Sequence, residues 1–410
     1  MSLVFCRLVL DISYIEFVSP LFEYAGMVYD FSIFKFLESY LLLSFYCFLV
    51  PSRVNRPSDI FLIFMLVFYL IPVGLFFSLA GGSRLAFYTI NFCGLFCCLA
   101  SNFPKITVPN IKFKNNFILE LCITLLILIT IFITLRVGLE NINFDLTKEY
   151  DFRPIVSDLL SGYGMPYIIP WMTSVIGPFV LALSLKKKKY ILFIIISLLH
   201  IFWFGITSHK TPMFIPLFVG VIWFLFSKRD EMYRIPLYSG LLLLFLTSLY
   251  FLFDFGLPAS LIVRRLFLVP TMYSYEYFNF FENNHIFWSN TFFSGLSEYR
   301  YSDPFPKVIG EYAGTDDYAN VGFIPAAFMH ANFFGVMIYL FVYIIILKII
   351  DGFCDEISDS WFFASFLLML INIILTSADL PTTFLTHGLI VGLLLAWIYK
   401  SSISNSNRNA

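Results

Sequence analysis

Two adjacent guanidiniums, Arg264 and Arg265, stand in the otherwise apolar run Leu261-Ile262-Val263-Arg264-Arg265-Leu266-Phe267-Leu268-Val269-Pro270. Paired charges in such a stretch are costly unless they meet water or an anion. A guanidinium fork matches phosphate oxygens two at a time, so phosphate is the anion these side chains fit best. Snorkelling to lipid headgroups, or pairing with Glu276 or Asp254, is the alternative reading. A second cationic point is the turn Ser208-His209-Lys210-Thr211-Pro212, where Lys210 faces either phosphate or the ordinary membrane interface. Arg136 is a weaker candidate of the same kind, and Arg84 is weaker still.

Downstream, carboxylates alternate with aromatics: Glu298-Tyr299-Arg300-Tyr301, Gly310-Glu311-Tyr312, then Asp316-Asp317-Tyr318-Ala319-Asn320, with Trp288 upstream. That pattern suits carbohydrate, because aromatic faces stack on sugar C–H surfaces while carboxylates accept hydroxyl protons. One such carboxylate at hydrogen-bonding distance can act as general base. Spacing does not choose among Glu298, Glu311, Asp316 and Asp317, and a solvated polar loop is the bland reading of each. The next apolar run carries Ala327, Ala331 and Gly335 at every fourth position, a stripe that lets membrane helices approach closely. His330 lies on another face, about 15 Å from Asn320 along a helix rising 1.5 Å per residue. It either bonds a neighbouring helix or lines a wet cavity.

These groups need a scaffold, and the composition says which kind. Of 410 residues, 59% are apolar, 20% aromatic and only 13% charged. Soluble domains carry about 25% charged residues, so this chain cannot wet its own surface. Disorder and a soluble enzyme are excluded, and an all-α polytopic membrane protein remains. The net charge of -1 gives no reason to expect a nucleic-acid partner. Seven cysteines form no CxxC pair or Cys/His cluster, and no P-loop, dinucleotide fingerprint, HExxH or GxSxG appears. No metal and no cofactor are therefore expected.

At about 20 apolar residues per crossing, about twelve spans are expected within one domain, 1–410. They fall near 3–22, 35–50, 59–79, 85–103, 117–137, 167–185, 190–207, 212–227, 235–255, 320–347, 360–378 and 384–399. The first is interrupted by Arg7, Asp11 and Glu16 and lacks the marks of a removable signal peptide. With both termini inside, one side holds fifteen Lys and Arg: Arg53, Arg56, Lys105, Lys112, Lys114, Lys186 to Lys189, Lys228, Arg229, Arg234, Lys348, Lys400 and Arg408. The other side holds nine, spread over longer segments. The expected outer segments are 138–166 and 256–319, the latter carrying the site. No internal repeat and no pair of broken helices is evident.

The order of these pieces resembles the O-antigen polymerases, also called oligosaccharide repeat unit polymerases, of Gram-negative bacteria. The likeness rests on Arg56-Pro57-Ser58-Asp59, His209-Lys210-Thr211-Pro212, Arg264 to Pro270 and Phe292-Phe293-Ser294. It continues through Ile309-Gly310-Glu311-Tyr312 and Ala319-Asn320-Val321-Gly322-Phe323-Ile324 to Gly335. His330 departs from the small or apolar residue expected there. The resemblance implies a GT-C-like glycosyltransferase, inverting or retaining, in the bacterial inner membrane with its active face in the periplasm. Its partners would be an undecaprenyl-pyrophosphate-linked donor and acceptor, the bilayer and a chain-length regulator protein. Arg264, Arg265, Glu311 and Asp316 would be catalytic. Lys210, His209, Arg136, Arg300, Tyr299, Asn320 and His330 would bind substrate. A lipid-linked oligosaccharide flippase and an O-antigen ligase are the competing readings.

Overall fold

The computed structural model describes residues 1–111, 117–145, 148–162, 164–291, 297–315 and 317–408. Lys112, Lys114, Asp316 and the Phe292-Phe293-Ser294 stretch therefore lie outside the described residues. Regular structure among those described is helical, and extended pairing is confined to two isolated bridges, Asp30 with Ala80 and Arg53 with Glu231. Seven helices there are long and apolar enough to cross a membrane: Pro57–Leu79, Phe117–Val137, Met165–Lys186, Tyr190–Thr207, Arg234–Phe253, Phe323–Phe353 and Ile357–Thr376. Arg84–Ala100, Thr211–Phe226 and Leu389–Ile403 are apolar but shorter. The chain is a helical membrane protein. Helix 57–79 is central, 94% buried over its apolar window, whereas 117–137 is 33% buried and turns most of its side chains outward.

The interrupted first span is helical from Ser2 to Phe22, and its charges explain themselves. Arg7 Nε donates to Asp11 at 2.6 Å, and its other nitrogens reach the Ser78 hydroxyl at 2.8 Å and the Ile71 carbonyl at 3.2 Å. Tyr40 donates to the second Asp11 oxygen at 2.7 Å. A buried ion pair is tolerable when its remaining donors and acceptors are met in this way. Glu16 faces outward.

Among the described residues, four π-helical segments widen the bundle: Tyr14–Val18, Leu66–Leu70, Met172–Ile176 and Ser260–Leu268. A proline stands two residues beyond each, at Pro20, Pro72, Pro178 and Pro270. A proline ring clashes with the carbonyl four residues back and offers no N–H. One extra residue in that turn moves the carbonyl aside, so the helix continues through the proline.

The links assigned to the lysine-rich side meet at one end of the bundle, called here the basic end. Val54 N–H bonds the Asp230 carbonyl at 2.7 Å, Ile106 N–H bonds that of Lys348 at 3.0 Å, and Lys400 reaches that of Gly352 at 3.0 Å. Arg56 donates to the Ser101 and Phe103 carbonyls, and Asp59 accepts the N–H groups of Asn55 and Arg56. The first helix runs alongside 234–253 in the same direction, with Ser13 bonded to Thr247 at 2.8 Å and Phe17 against Tyr250.

Two expectations change at the opposite, loop end. The first part of segment 256–319 is helix from Leu257 to Phe281, packed among the spans; Val263, Phe267, Leu268 and Thr271 are buried. The span expected at 320–347 is a hairpin. Ala331 (φ -154°, ψ 40°) and Asn332 (φ 53°, ψ -145°) break the helix, and the ring of Phe323 stacks on that of Tyr343 with centroids 4.9 Å apart. In one straight helix those rings would be about 30 Å apart. Arm 323–330 therefore lies back along arm 333–353, and His330 sits at the fold rather than partway down a crossing. The small residues work within this hairpin: a side chain on Gly335 would strike the Ala327 carbonyl and crowd Ala331. Asn332 suits the corner because its short amide tolerates positive φ, and its Oδ1 accepts the Phe333 N–H at 2.7 Å.

Candidate functional site

Arg264 lies in the widened turn 260–268, where that segment meets the π-helical parts of helices 2–22 and 57–79. Its guanidinium carbon stands 4.3 Å from the centroid of the Phe22 ring. Its Nε is enclosed and has no acceptor. Burial and the neighbouring Arg265 pull its pKa below the ordinary arginine value, while Tyr24, Asp317 and Tyr273 pull it back up. The group is thus a half-buried cation between aromatic rings, with one carboxylate near and a donor to spare. A site of this kind attracts an anion with several acceptor oxygens.

The chain beyond helix Phe305–Tyr312 folds over this point. Thr315 N–H bonds the Gly310 carbonyl at 2.9 Å, its hydroxyl bonds the same carbonyl at 3.2 Å, and Tyr273 Oη lies 3.5 Å from that hydroxyl. Asp317 lies beyond this turn, near enough for its charge to act on Arg264. Tyr277 Oη donates to the Ala319 carbonyl at 2.9 Å and fixes the next step of the chain. Tyr24, Tyr312 and Tyr318 are exposed at 83%, 51% and 61%, which leaves open ring faces on this side of the molecule. Flat apolar rings beside hydrogen-bonding groups can hold a pyranose.

The other sequence candidates are distributed more widely. Arg265 is exposed beside Arg264. Glu311 is exposed and pairs loosely with Lys307 at 3.9 Å, one helical turn away. Arg300 and Asn320 are exposed, and Asn320 N–H bonds the Tyr318 carbonyl at 2.9 Å. Tyr299 Oη donates to the Asp303 carbonyl at 2.8 Å, and burial, with Tyr301 and Asp303 nearby, pushes its pKa up to about 12. Arg136 is exposed at the end of helix 117–137. His209 and Lys210 form the turn before helix 211–226. Burial and the charge of Arg153 hold His209 down to about 4.

His330 is fully buried and takes no part in the Arg264 cluster. Its Nε2 lies 2.8 Å from Asp379 Oδ2, its ring stacks on Trp288 at 5.1 Å, and Trp288 N–H points to its Nδ1 at 3.3 Å. Since Nδ1 accepts, Nε2 carries the hydrogen that Asp379 receives. Trp288 Nε1 also donates to Tyr339 Oη at 2.9 Å. The histidine clamps three elements, and it is the bond between helices rather than the wet-cavity alternative.

A small apolar cavity, about 70 Å³, lies next to the arginine segment, lined in part by Phe64, Phe68, Ile215, Leu266, Met369 and Asn372. Leu266 follows Arg265, and Ile215 is on the helix that Lys210 caps, so the helices bearing those two cations meet at this cavity. Among the described residues, no group of three His, Cys, Asp or Glu side chains is arranged to hold a metal ion.

Asp317, Phe22, Tyr24 and Asp379 are the residues that sequence reasoning undervalued. Asp317 is one of four acids alike in sequence, and of the three described it is the one whose charge acts on Arg264. Asp379 had a local signal: it stands before Leu380-Pro381 and caps that helix, its Oδ1 accepting the Leu380 N–H at 2.7 Å. Comparison with protein-family models, with curated proteins and with solved structures finds no match for this chain.

Proposed function

We propose that the chain is an O-antigen polymerase. It would be a glycosyltransferase of the bacterial inner membrane with about twelve crossings, a GT-C-like bundle and both termini in the cytoplasm. At the periplasmic face it would join oligosaccharide repeat units carried on undecaprenyl pyrophosphate. A hydroxyl oxygen of the acceptor sugar attacks the donor's anomeric carbon. The bond from that carbon to the diphosphate oxygen breaks, the hydroxyl proton passes to a base, and undecaprenyl pyrophosphate leaves. The observation that carries this reading is Arg264, a half-buried cation with an unused Nε–H beside Asp317 and exposed tyrosines. Charge develops on the departing diphosphate, and a donor held in place stabilises it without reorganisation. Arg265 adds a second cation, and Asp317, whose charge acts on Arg264, joins Glu311 and Asp316 among the acids proposed to take the hydroxyl proton.

Deletion of the gene is expected to leave surface lipopolysaccharide capped with a single repeat in place of a length ladder. In the deletion strain, Arg264→Ala should insert normally yet lower polymer formation about 10²–10³-fold, the usual effect of losing one preorganised donor. A full ladder from Arg264→Ala would remove that residue from the reaction. The hairpin at 331–332 favours a second reading, because broken helices are common in transporters. A transporter of the same lipid-linked sugar would, on deletion, abolish the surface sugar altogether. Loss of attached sugar with polymer accumulating on its carrier would indicate the ligase.

A further inference from the structure

The tetralysine Lys186 to Lys189 joins helix Met165–Lys186 to helix Tyr190–Thr207, and its members are not equivalent. Lys186 is used inside the fold: it pairs with Asp359 at 2.6 Å and lies over the rings of Phe362 and Tyr399 at 5.0 and 5.6 Å. Lys187, Lys188 and Lys189 are exposed. Lys188 holds the corner with φ 54°, a left-handed position where glycine is the low-strain residue. The fold thus keeps a lysine where a residue without charge would fit better. Its neighbours are crowded too, since burial and the charge of Lys189 lower the Lys187 pKa from the ordinary lysine value.

The adjoining corner enlarges the patch. Tyr190 packs edge-on against Trp223 at 6.3 Å, which brings the end of helix Thr211–Phe226 beside the lysine turn. Lys228 and Arg229 follow that helix end and are exposed. None of these five cations has a carboxylate within ion-pairing distance among the described residues. The apolar side chains of Ile191 and Phe224, 77% and 70% exposed, begin directly below. Cations over an aromatic pair over bare hydrocarbon fit a ligand with an anionic head and acyl tails.

We propose that this corner of the basic end is a binding site for an anionic phospholipid, its phosphate held by Lys187, Lys188, Lys189, Lys228 and Arg229 and its chains along Ile191 and Phe224. The Tyr190–Trp223 pair marks the boundary between head and tail, as such rings do at membrane interfaces. A free phosphate would meet the cations but leave the apolar shelf unused. Each basic group near an anionic surface strengthens binding about fivefold.

The test is native mass spectrometry of the full chain in mild detergent, titrated with phosphatidylglycerol or with phosphatidylcholine of the same acyl chains. The wild type should retain phosphatidylglycerol several-fold more than phosphatidylcholine. The variant Lys187→Gln/Lys188→Gly/Lys189→Gln should lose that preference, and the glycine at the left-handed corner spares the backbone. A second variant, Lys228→Gln/Arg229→Gln, probes the same corner from the other helix and carries the test if the first does not fold. Equal retention of both lipids by the wild type overturns the proposal, as does an undiminished preference in the folded variants. Displacement of phosphatidylglycerol by millimolar inorganic phosphate would reassign the patch to a soluble anion.

Discussion

At the scale of single residues, surroundings decide what each ionisable group does. His209 illustrates a base kept neutral: burial and Arg153 lower its pKa from 6.5 to about 4. The unfolded chain takes up that proton as pH falls below about 6.5, whereas the folded chain resists until about 4. Stability present above the higher value is therefore lost progressively across this window as pH falls. Melting of the detergent-solubilised protein between pH 7.5 and 4.5 should show the loss, and His209→Asn should lessen it. An unchanged profile in that variant would contradict the assignment. Arg264 illustrates the opposite case, a cation that stays charged and is left wanting an acceptor. The pair Arg264-Arg265 was legible in the sequence because two charges interrupt an apolar run. Its acid was not legible, because Glu298, Glu311 and Asp317 look alike until Thr315 turns the chain back onto Gly310. His330 was legible only as a group needing a partner. Asp379 and Trp288 lie far from it in sequence, so no spacing could name them.

Elements obey rules that were partly written in the chain. Helices formed on the apolar runs because hydrocarbon leaves backbone groups no other partner. The four widened turns had a signal in Pro20, Pro72, Pro178 and Pro270, each inside or beside an apolar run. The hairpin is not legible in this way. Ala327, Ala331 and Gly335 signal close approach, but a four-residue stripe does not say whether the neighbour is another helix or the same one folded over. Asn332 was the better clue, as a residue that accepts the left-handed corner. Replacing Phe323 and Tyr343 by cysteine tests the fold directly. Ring centroids 4.9 Å apart place the two arms side by side, so a short bifunctional thiol reagent should join the two cysteines, a link identifiable by peptide mass mapping. A straight helix would hold the two sulfurs about 30 Å apart and give none.

Across the whole molecule, polar groups are concentrated at the two ends, and at the basic end a buried network ties the links together. Asp351, 1% exposed, accepts from Lys348 at 2.9 Å and from the Ser58 hydroxyl and N–H at 2.8 and 3.0 Å. Asp351→Leu would leave Lys348 charged and enclosed, at a cost of about 3–5 kcal/mol. The double variant Lys348→Met/Asp351→Leu should recover much of that loss in thermal melts. The exposed Arg84–Glu38 pair at 2.7 Å should matter far less, because solvent screens it. An Asp351→Leu protein as stable as the wild type would show that this network does not hold the end together. The doubled-back arm 323–330 has a different consequence for the whole chain. It climbs only as far as the preceding segment dipped, so it leaves the even or odd count of passages unchanged. The pass that ends at Phe353 is accordingly made by arm 333–353 alone, and arm 323–330 fills the interior beside it without adding a crossing.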